Sequence, residues 1–289
     1  MQASEVSRAV AAAMSIASAL DLTVDDAVVL QNSNKLSARL LPCDVLARVA
    51  PLAHQRAQFE IGLAQRLAET ASPVAALEPR VEPRVYERDG FAITLWTYYA
   101  SVTPPDVAPA DFAKALARLH AGMRKLDAAA PHFTIRVAEA QQLMASREVT
   151  AALPDADREL LGSALSGLRR AIAERGAVEQ LLHGEPHPGN LLGTKDGPVF
   201  IDLETCCRGP IEFDLAHVPQ EVAKHYPDVD QGLMGACRGL VLGMVAAWRW
   251  DVGDQFPNGP RVGRELVGAL RKGPPWPTLD VVMREMAGP

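Results

Sequence analysis

Two stretches of this sequence gather acids, an amide and imidazoles: His183-Gly184-Glu185-Pro186-His187-Pro188-Gly189-Asn190, then Phe200-Ile201-Asp202-Leu203-Glu204. A segment rich in proline and glycine bends sharply and holds its side chains at fixed angles. Glu185 lies on that bend and offers a carboxylate. Asn190 offers an amide oxygen, and Asp202 and Glu204 offer carboxylates. Such hard oxygen donors suit Mg²⁺, which keeps several waters and shares phosphate oxygens. Phosphoryl transfer is chemistry of that kind: it needs positioned oxygens, a metal and positive charge on the phosphates, and little covalent work from the protein.

The residues between the two stretches must position them. Lys195-Asp196-Gly197 separates apolar runs at 190–193 and 198–203, and Asp-Gly between such runs predicts a hairpin. The hairpin would return the chain so that Asp202 ends beside Asn190. On a strand, Asp202 and Glu204 would face the same side. Other chemistries fit less well. His183 and His187 are four apart, but the intervening glycine and proline oppose the helix that a zinc pair would need. His183-Gly184-Glu185 mimics half of a zinc deaminase signature, yet Cys206 and Cys207 are adjacent and follow Thr205, where that signature needs P-C-x-x-C. Packing is the expected role of both cysteines.

Upstream, residues 4–20 predict a helix with Ser4 as its cap. Apolar runs at 28–30, 36–41 and 45–49, parted by Asn32-Ser33-Asn34 and Pro42-Cys43-Asp44, predict three strands. Phe59, Ile61, Leu63 and Leu67 mark a helix over 56–69. Two more strands are expected at 81–86 and 92–98, joined by the turn Arg88-Asp89-Gly90. Thr103-Pro104-Pro105 reads as a linker. Beyond it the chain turns helical, at 111–125, 139–149 and 156–173, and again after residue 204. The order is thus a small strand-rich part, a linker and a larger helical part carrying one hairpin.

Bulk properties narrow the classes. Of the 289 residues 48% are hydrophobic and 22% charged, enough apolar material for a core, so disorder is excluded as a reading. A net charge of -6 opposes a nucleic-acid binder. No apolar run reaches the roughly 18 residues of a membrane span. Residues 9–20 are apolar, but Glu5 precedes them and Arg8 is their lone positive flank, so they read as an alanine-rich helix and not a leader. Cys43, Cys206, Cys207 and Cys237 show no disulfide or CxxC spacing, which points to a reduced, cytoplasmic protein.

His183, position 185 and Asn190 stand at the intervals of the protein kinase loop H-R-D-x-x-x-x-N. The middle of the loop, the Ile201-Asp202-Leu203-Glu204 run and Phe213-Asp214-Leu215-Ala216 more closely resemble the aminoglycoside phosphotransferase and choline kinase superfamily. Leu116-Ala117-Arg118-Leu119-His120-Ala121 resembles the helix that family places before its loop, and the resemblance spans about residues 28–250. It implies an α+β, protein-kinase-like two-lobed fold. A small, mostly antiparallel β lobe would occupy residues 1–102, and a larger helical lobe with the catalytic hairpin 103–289. By the same resemblance Glu185 orients or deprotonates the acceptor hydroxyl and His183 braces the loop. Asn190 and Asp202, with Glu204 beside them, hold Mg²⁺ on the phosphates of ATP or GTP. Arg48 contacts the α- and β-phosphates, positioned by Glu60. Leu95, Trp96 and Tyr98 fall where the family contacts adenine. Asp214 supports the loop from the following helix.

Two departures stand out. The family's loop is HGDxHPGN, and here Glu185 replaces the Asp. The acid is one methylene longer, and a misplacement of about 1 Å can lower a rate about a hundredfold. Arg48 stands where protein kinases use Lys, but Arg also grips phosphate. No GxxxxGK[ST] is present, which argues against a P-loop kinase. A protein kinase is disfavoured by the missing Asp-Phe-Gly and Ala-Pro-Glu and by the short run from Asp202 to Asp214. The expected activity is ATP-dependent phosphorylation of a small-molecule hydroxyl. If Glu212, Asp228, Asp230, Asp251 and Asp254 line the site, an aminoglycoside-like or amino-alcohol acceptor is favoured. The alternative, motivated by Glu185, is a catalytically impaired nucleotide-binding protein.

Overall fold

Apolar residues at every second position make the first sheet. Leu36, Ala38 and Leu40, then Val45, Ala47 and Val49, alternate with less buried neighbours and are themselves fully buried. The computed structural model describes residues 1, 3–33, 35–53, 56–100 and 107–287. The linker expected at Thr103-Pro104-Pro105, and Asn34 of the expected turn, lie outside these residues.

In chain order the elements begin with α1 (Ala3–Ala19), β1 (Val24–Asn32), β2 (Leu36–Pro42), β3 (Val45–Pro51), α2 (Ala57–Ala68), β4 (Tyr86–Arg88) and β5 (Phe91–Thr97). Next come α3 (Pro109–Met123), α4 (Thr134–Ala145), α5 (Asp155–Glu174), β6 (Gln180–Leu182), β7 (Leu191–Thr194), β8 (Gly197–Phe200) and β9 (Cys207–Gly209). The chain ends with α6 (Ile211–Leu215), α7 (Gln220–Ala223), α8 (Gln231–Trp248), α9 (Gly259–Lys272) and α10 (Leu279–Ala287). The fold is α+β.

The chain divides into two units. The first comprises Met1–Asp106 and Leu192–Glu204. Its antiparallel sheet runs β1-β2-β3-β5-β4. Ala9, Ala12, Ala13, Ile16 and Ala17 of α1 lie at helical spacing and pack on the buried face, against Leu36, Leu40, Val49 and Ile93. Fully burying one such Leu or Val contributes about 1.5–3 kcal/mol. Ser4 lies within α1 and does not cap it. The strand expected at 81–86 starts only at Tyr86 and runs on to Arg88, because Pro83 lacks the amide donor that a ladder requires. The β7–β8 hairpin falls in the helical half of the sequence, but all of it except Leu191 clusters with the first unit. Phe200 anchors it there by exchanging backbone hydrogen bonds with Pro73 and Ala75.

The second unit comprises Val107–Leu191 and Thr205–Pro289. Its core packs α4, α5, α8 and α9 through Val137, Leu161, Leu165, Leu240, Met244 and Leu266. Helix α4 starts five residues before its expected position. Phe133 is buried there and its amide donates to the Arg208 carbonyl at 2.9 Å. Among the described residues no helix is long and apolar enough to cross a membrane.

Candidate active site

In the second unit the short β6–β9 ladder pairs Leu182 with Cys207 and delivers the chain into the 183–190 loop. His183, Gly184, Pro186 and Asn190 of this loop are buried, Pro188 and Gly189 are exposed, and one carboxylate organises its start. Asp214, fully buried, accepts from the His183 amide at 2.9 Å and the Gly184 amide at 2.7 Å. The same carboxylate meets His120 Nε2 at 2.8 Å, while His120 Nδ1 meets the Tyr226 hydroxyl at 2.7 Å. Burial by itself raises the Asp214 pKa, but the His120 hydrogen bond and charge, helped by His183 and the Gly184 amide, hold it below the usual carboxylate range. Gly184 has φ of 89°, and a Cβ there would lie 2.0 Å from the Thr205 carbonyl oxygen, so only glycine fits.

His183 is itself fully buried, with its carbonyl receiving the Thr205 hydroxyl at 3.0 Å. Pro188, Gly189 and Asn190 form a single 3-10 turn, capped by His187 Nδ1, which accepts the Gly189 amide at 3.0 Å. The Glu185 carbonyl accepts from the His187 amide at 2.8 Å and from Asn190 Nδ2 at 3.0 Å. That contact engages the Asn190 amide nitrogen and not its Oδ1. The Glu185 side chain forms an ion pair with Arg136 of α4. Burial pushes the Glu185 pKa up, yet the positive charge of Arg136 overrides it, with smaller help from His217 and His187. The net shift is downward, so Glu185 is ionised at neutral pH and able to accept a proton.

The other acids group within the first unit. Asp202 has φ of 65° and Glu204 sits in a 3-10 turn, Leu203–Thr205. The strand expected through both therefore stops at Phe200, which corrects the sequence reading. A left-handed residue cannot continue a strand, and Asp is among the few side chains that tolerate it. Such backbone clusters at functional sites. Oxygens of Glu60, Asp202 and Glu204 lie within 4.8 Å of one another. Arg48 of β3 binds Glu60 through Nη1 and Asp202 through Nη2, the latter at 2.5 Å. Lys35 binds Glu204 and lies 3.5 Å from Glu60 and 3.6 Å from Asp202. Glu60 Oε1 also accepts the Leu203 amide at 3.1 Å, which ties α2 to the turn. Burial lowers the Arg48 pKa, but Glu60 and Asp202 reverse it, and the net shift is upward.

Of the residues expected at adenine, Leu95 and Trp96 lie inside β5 and are 3% and 4% exposed. The Leu95 carbonyl already accepts the Glu78 amide at 3.1 Å, and Trp96 Nε1 donates to the Thr94 hydroxyl at 2.8 Å. Tyr98 follows the strand and is half-buried, with the Arg39 guanidinium 4.1 Å from its ring centre. Most of the acids considered for an amine-bearing acceptor have other tasks. Glu212 accepts the Asp230 amide, and Asp230 caps α8 and pairs with Arg175. Asp251 accepts the Gly253 amide, and Asp254 pairs with Arg249.

Sequence reasoning assigned no role to Lys35, Arg136 or His217. Lys35 and Arg136 act through partners distant along the chain, so no local spacing marks them. His217 Nδ1 meets the Phe213 carbonyl at 2.9 Å, while its buried Nε2 has no hydrogen-bond partner. Burial lowers its pKa to about 4, against an upward pull from Glu185. Since its pKa is depressed in the folded state, the unfolded chain takes up the proton first as pH falls. Stability is therefore full above the unfolded value of about 6.5 and declines towards pH 4, by about 3 kcal/mol. Denaturant midpoints across this range should show that slope, and His217→Leu should flatten it. An equal slope in the variant would contradict this origin.

A sequence model described as a phosphotransferase enzyme family matches residues 31–234. No curated protein sequence matches the chain significantly. Solved structures do. Choline kinase LicA from Streptococcus pneumoniae shares 17% identity at a TM-score of 0.66, covering 89% of this chain and 96% of that one. Amicoumacin kinase hAmiN, solved with AMP-PNP, Ca²⁺ and Ami, shares 12% at 0.66, covering 97% and 100%. A spectinomycin phosphotransferase, solved with ADP and its antibiotic, shares 13% at 0.61, covering 98% of both chains. At these identities the structural likeness establishes the kinase-like fold.

Proposed function

Since the chain belongs to the phosphotransferase enzyme family, we propose that it moves the γ-phosphoryl group of ATP, or of GTP, to a hydroxyl of a small molecule. Small-molecule phosphotransfer is the family's activity, and the loop supports the finer assignment. Asp214 fixes the His183 and Gly184 amides, and the Glu185 carbonyl fixes Asn190. This bracing, which leaves an ionised Glu185 as the proton acceptor, is the observation that carries the reading. His183 braces the loop and does not react. Arg48 contacts the α- and β-phosphates, and Glu60 sets its direction. Tyr98, with Leu95 and Trp96 preceding it in β5, flanks the adenine.

A divalent ion fits the donor chemistry. Asp202 and Glu204, whose carboxylate oxygens cluster with those of Glu60, offer the hard ligands that Mg²⁺ takes and would hold it; Asn190 offers an amide oxygen of the same chemistry. When bound, the ion neutralises charge on the phosphate oxygens. Arg48 and Lys35 pair with the acids of the first unit. The four free thiols suit the reducing cytoplasm.

An amino-alcohol acceptor draws support from the fold neighbours named for choline and spectinomycin. It draws little from the downstream acids, because Glu212, Asp230, Asp251 and Asp254 are engaged locally. A coupled ADP-release assay with Mg·ATP and Mg·GTP tests the function across choline, spectinomycin, other amino alcohols, sugars and nucleosides. ADP or GDP release that depends on one class of hydroxyl compound is expected. Tight nucleotide binding without release on any compound would favour the impaired, nucleotide-binding alternative.

A further inference from the structure

Arg136 is the residue that touches the Glu185 carboxylate, and the fold goes to some length to place it there. The bridge between His132 and Arg208 anchors the start of α4 beside β9. One turn later Arg136 Nη1 donates to the Gly184 carbonyl at 3.4 Å and Nη2 donates to Glu185 Oε1. Its guanidinium carbon lies 4.9 Å from the Trp248 ring centre, at the end of α8. The pair is sheltered, with side chains 13% and 22% exposed, so it is not one of the weak surface pairs. Four other titratable groups act on Glu185 from neighbouring elements: His187, Cys207, His217 and Arg249. Arg249 has its own partner in Asp254, and His217 is bonded to Phe213.

The arrangement bears on the departure at position 185. Glu carries one more rotatable bond than Asp, so an unrestrained Glu would spread its carboxylate over more positions. A planar guanidinium held by a carbonyl and an indole face is a rigid fork that selects one of them. We propose that Arg136 is a positioning residue for phosphoryl transfer: it fixes the longer side chain of Glu185, so that Glu can serve where the family's loop carries Asp. This rests on Glu185 being the proton acceptor. A merely structural role would have the pair tie α4 to the loop.

Steady-state ADP release separates the two, using Mg·ATP with choline, spectinomycin, glycerol or water as the acceptor. The proteins are the parent, Arg136→Met, Arg136→Lys, Glu185→Asp, Glu185→Gln and the Arg136→Met/Glu185→Asp double variant. Arg136→Met should lower kcat about 10- to 100-fold with KM for ATP within about twofold. Glu185→Asp should lower kcat at least about tenfold in the parent, but less than about threefold further in Arg136→Met. Arg136→Lys keeps the charge without the fork and should recover less than about a tenth of parental kcat. If Arg136→Met fails to fold, judged by melting, the Lys variant carries the test. Full activity in Arg136→Lys, parental or faster turnover in Arg136→Met, or losses that multiply in the double variant would each overturn the proposal. An inactive Glu185→Gln alongside any of those results leaves the proton-acceptor reading standing. A parent that releases no ADP with any acceptor, or an active Glu185→Gln, removes both.

Discussion

Glu185→Gln should lower turnover by about 10²- to 10⁴-fold while leaving Mg·ATP affinity within about twofold. The amide keeps the shape of the side chain and can still accept from Arg136, so the loop should remain folded. What it loses is the capacity to take a proton, the role proposed for Glu185. Arg136 keeps the carboxylate ionised but also makes it a weaker base, since the shift is downward. That suits a reaction with a loose transition state, in which orienting the hydroxyl matters more than early proton removal. Comparison of kcat with the nucleotide Kd reads the split. Undiminished turnover would deny Glu185 its role.

Asp214→Ala should produce the largest loss of stability. The substitution strips an acceptor from the His183 amide, the Gly184 amide and His120, and both His183 and His120 are fully buried. Leaving a buried charged or polar group without its partner costs about 3–5 kcal/mol, a large part of the roughly 5–15 kcal/mol that holds a typical domain together. Urea midpoints should fall accordingly, and Asp214→Asn, which can still accept one amide, should lose less. Because the Asp214 pKa is lowered on folding, its own contribution is present above the unfolded value and disappears as pH falls through the lower folded one. A loss below about 1 kcal/mol would show that the carboxylate does not carry the loop.

Much of this was legible in the residues. The turn at Asp196-Gly197, the apolar stripe of α3 and the Pro188–Asn190 turn capped by His187 are local features, and local chemistry decides them. The sequence pattern failed where tertiary contacts decide. Phe200 and Ile201 read as a strand leading into Asp202, but the left-handed backbone at Asp202 ends the strand there. Strands β6 and β9 have three residues each, too few to show a period of two, and they form only because they pair with each other. Arg136 lies 49 positions from Glu185, and Lys35 is far from Glu204 along the chain. No spacing rule reaches across such intervals. Nor does acidity alone reveal use: Asp230 and Asp251 looked available to an amine, and both bind nearby amides.

Transfer of label from γ-phosphate-labelled ATP tests the central claim most directly. The protein is incubated with Mg²⁺ and the acceptor that releases ADP, and the products are separated. The account predicts that the label leaves ATP and appears in an O-phosphate ester of that small molecule. Label found only in inorganic phosphate, or on the protein itself, would contradict it.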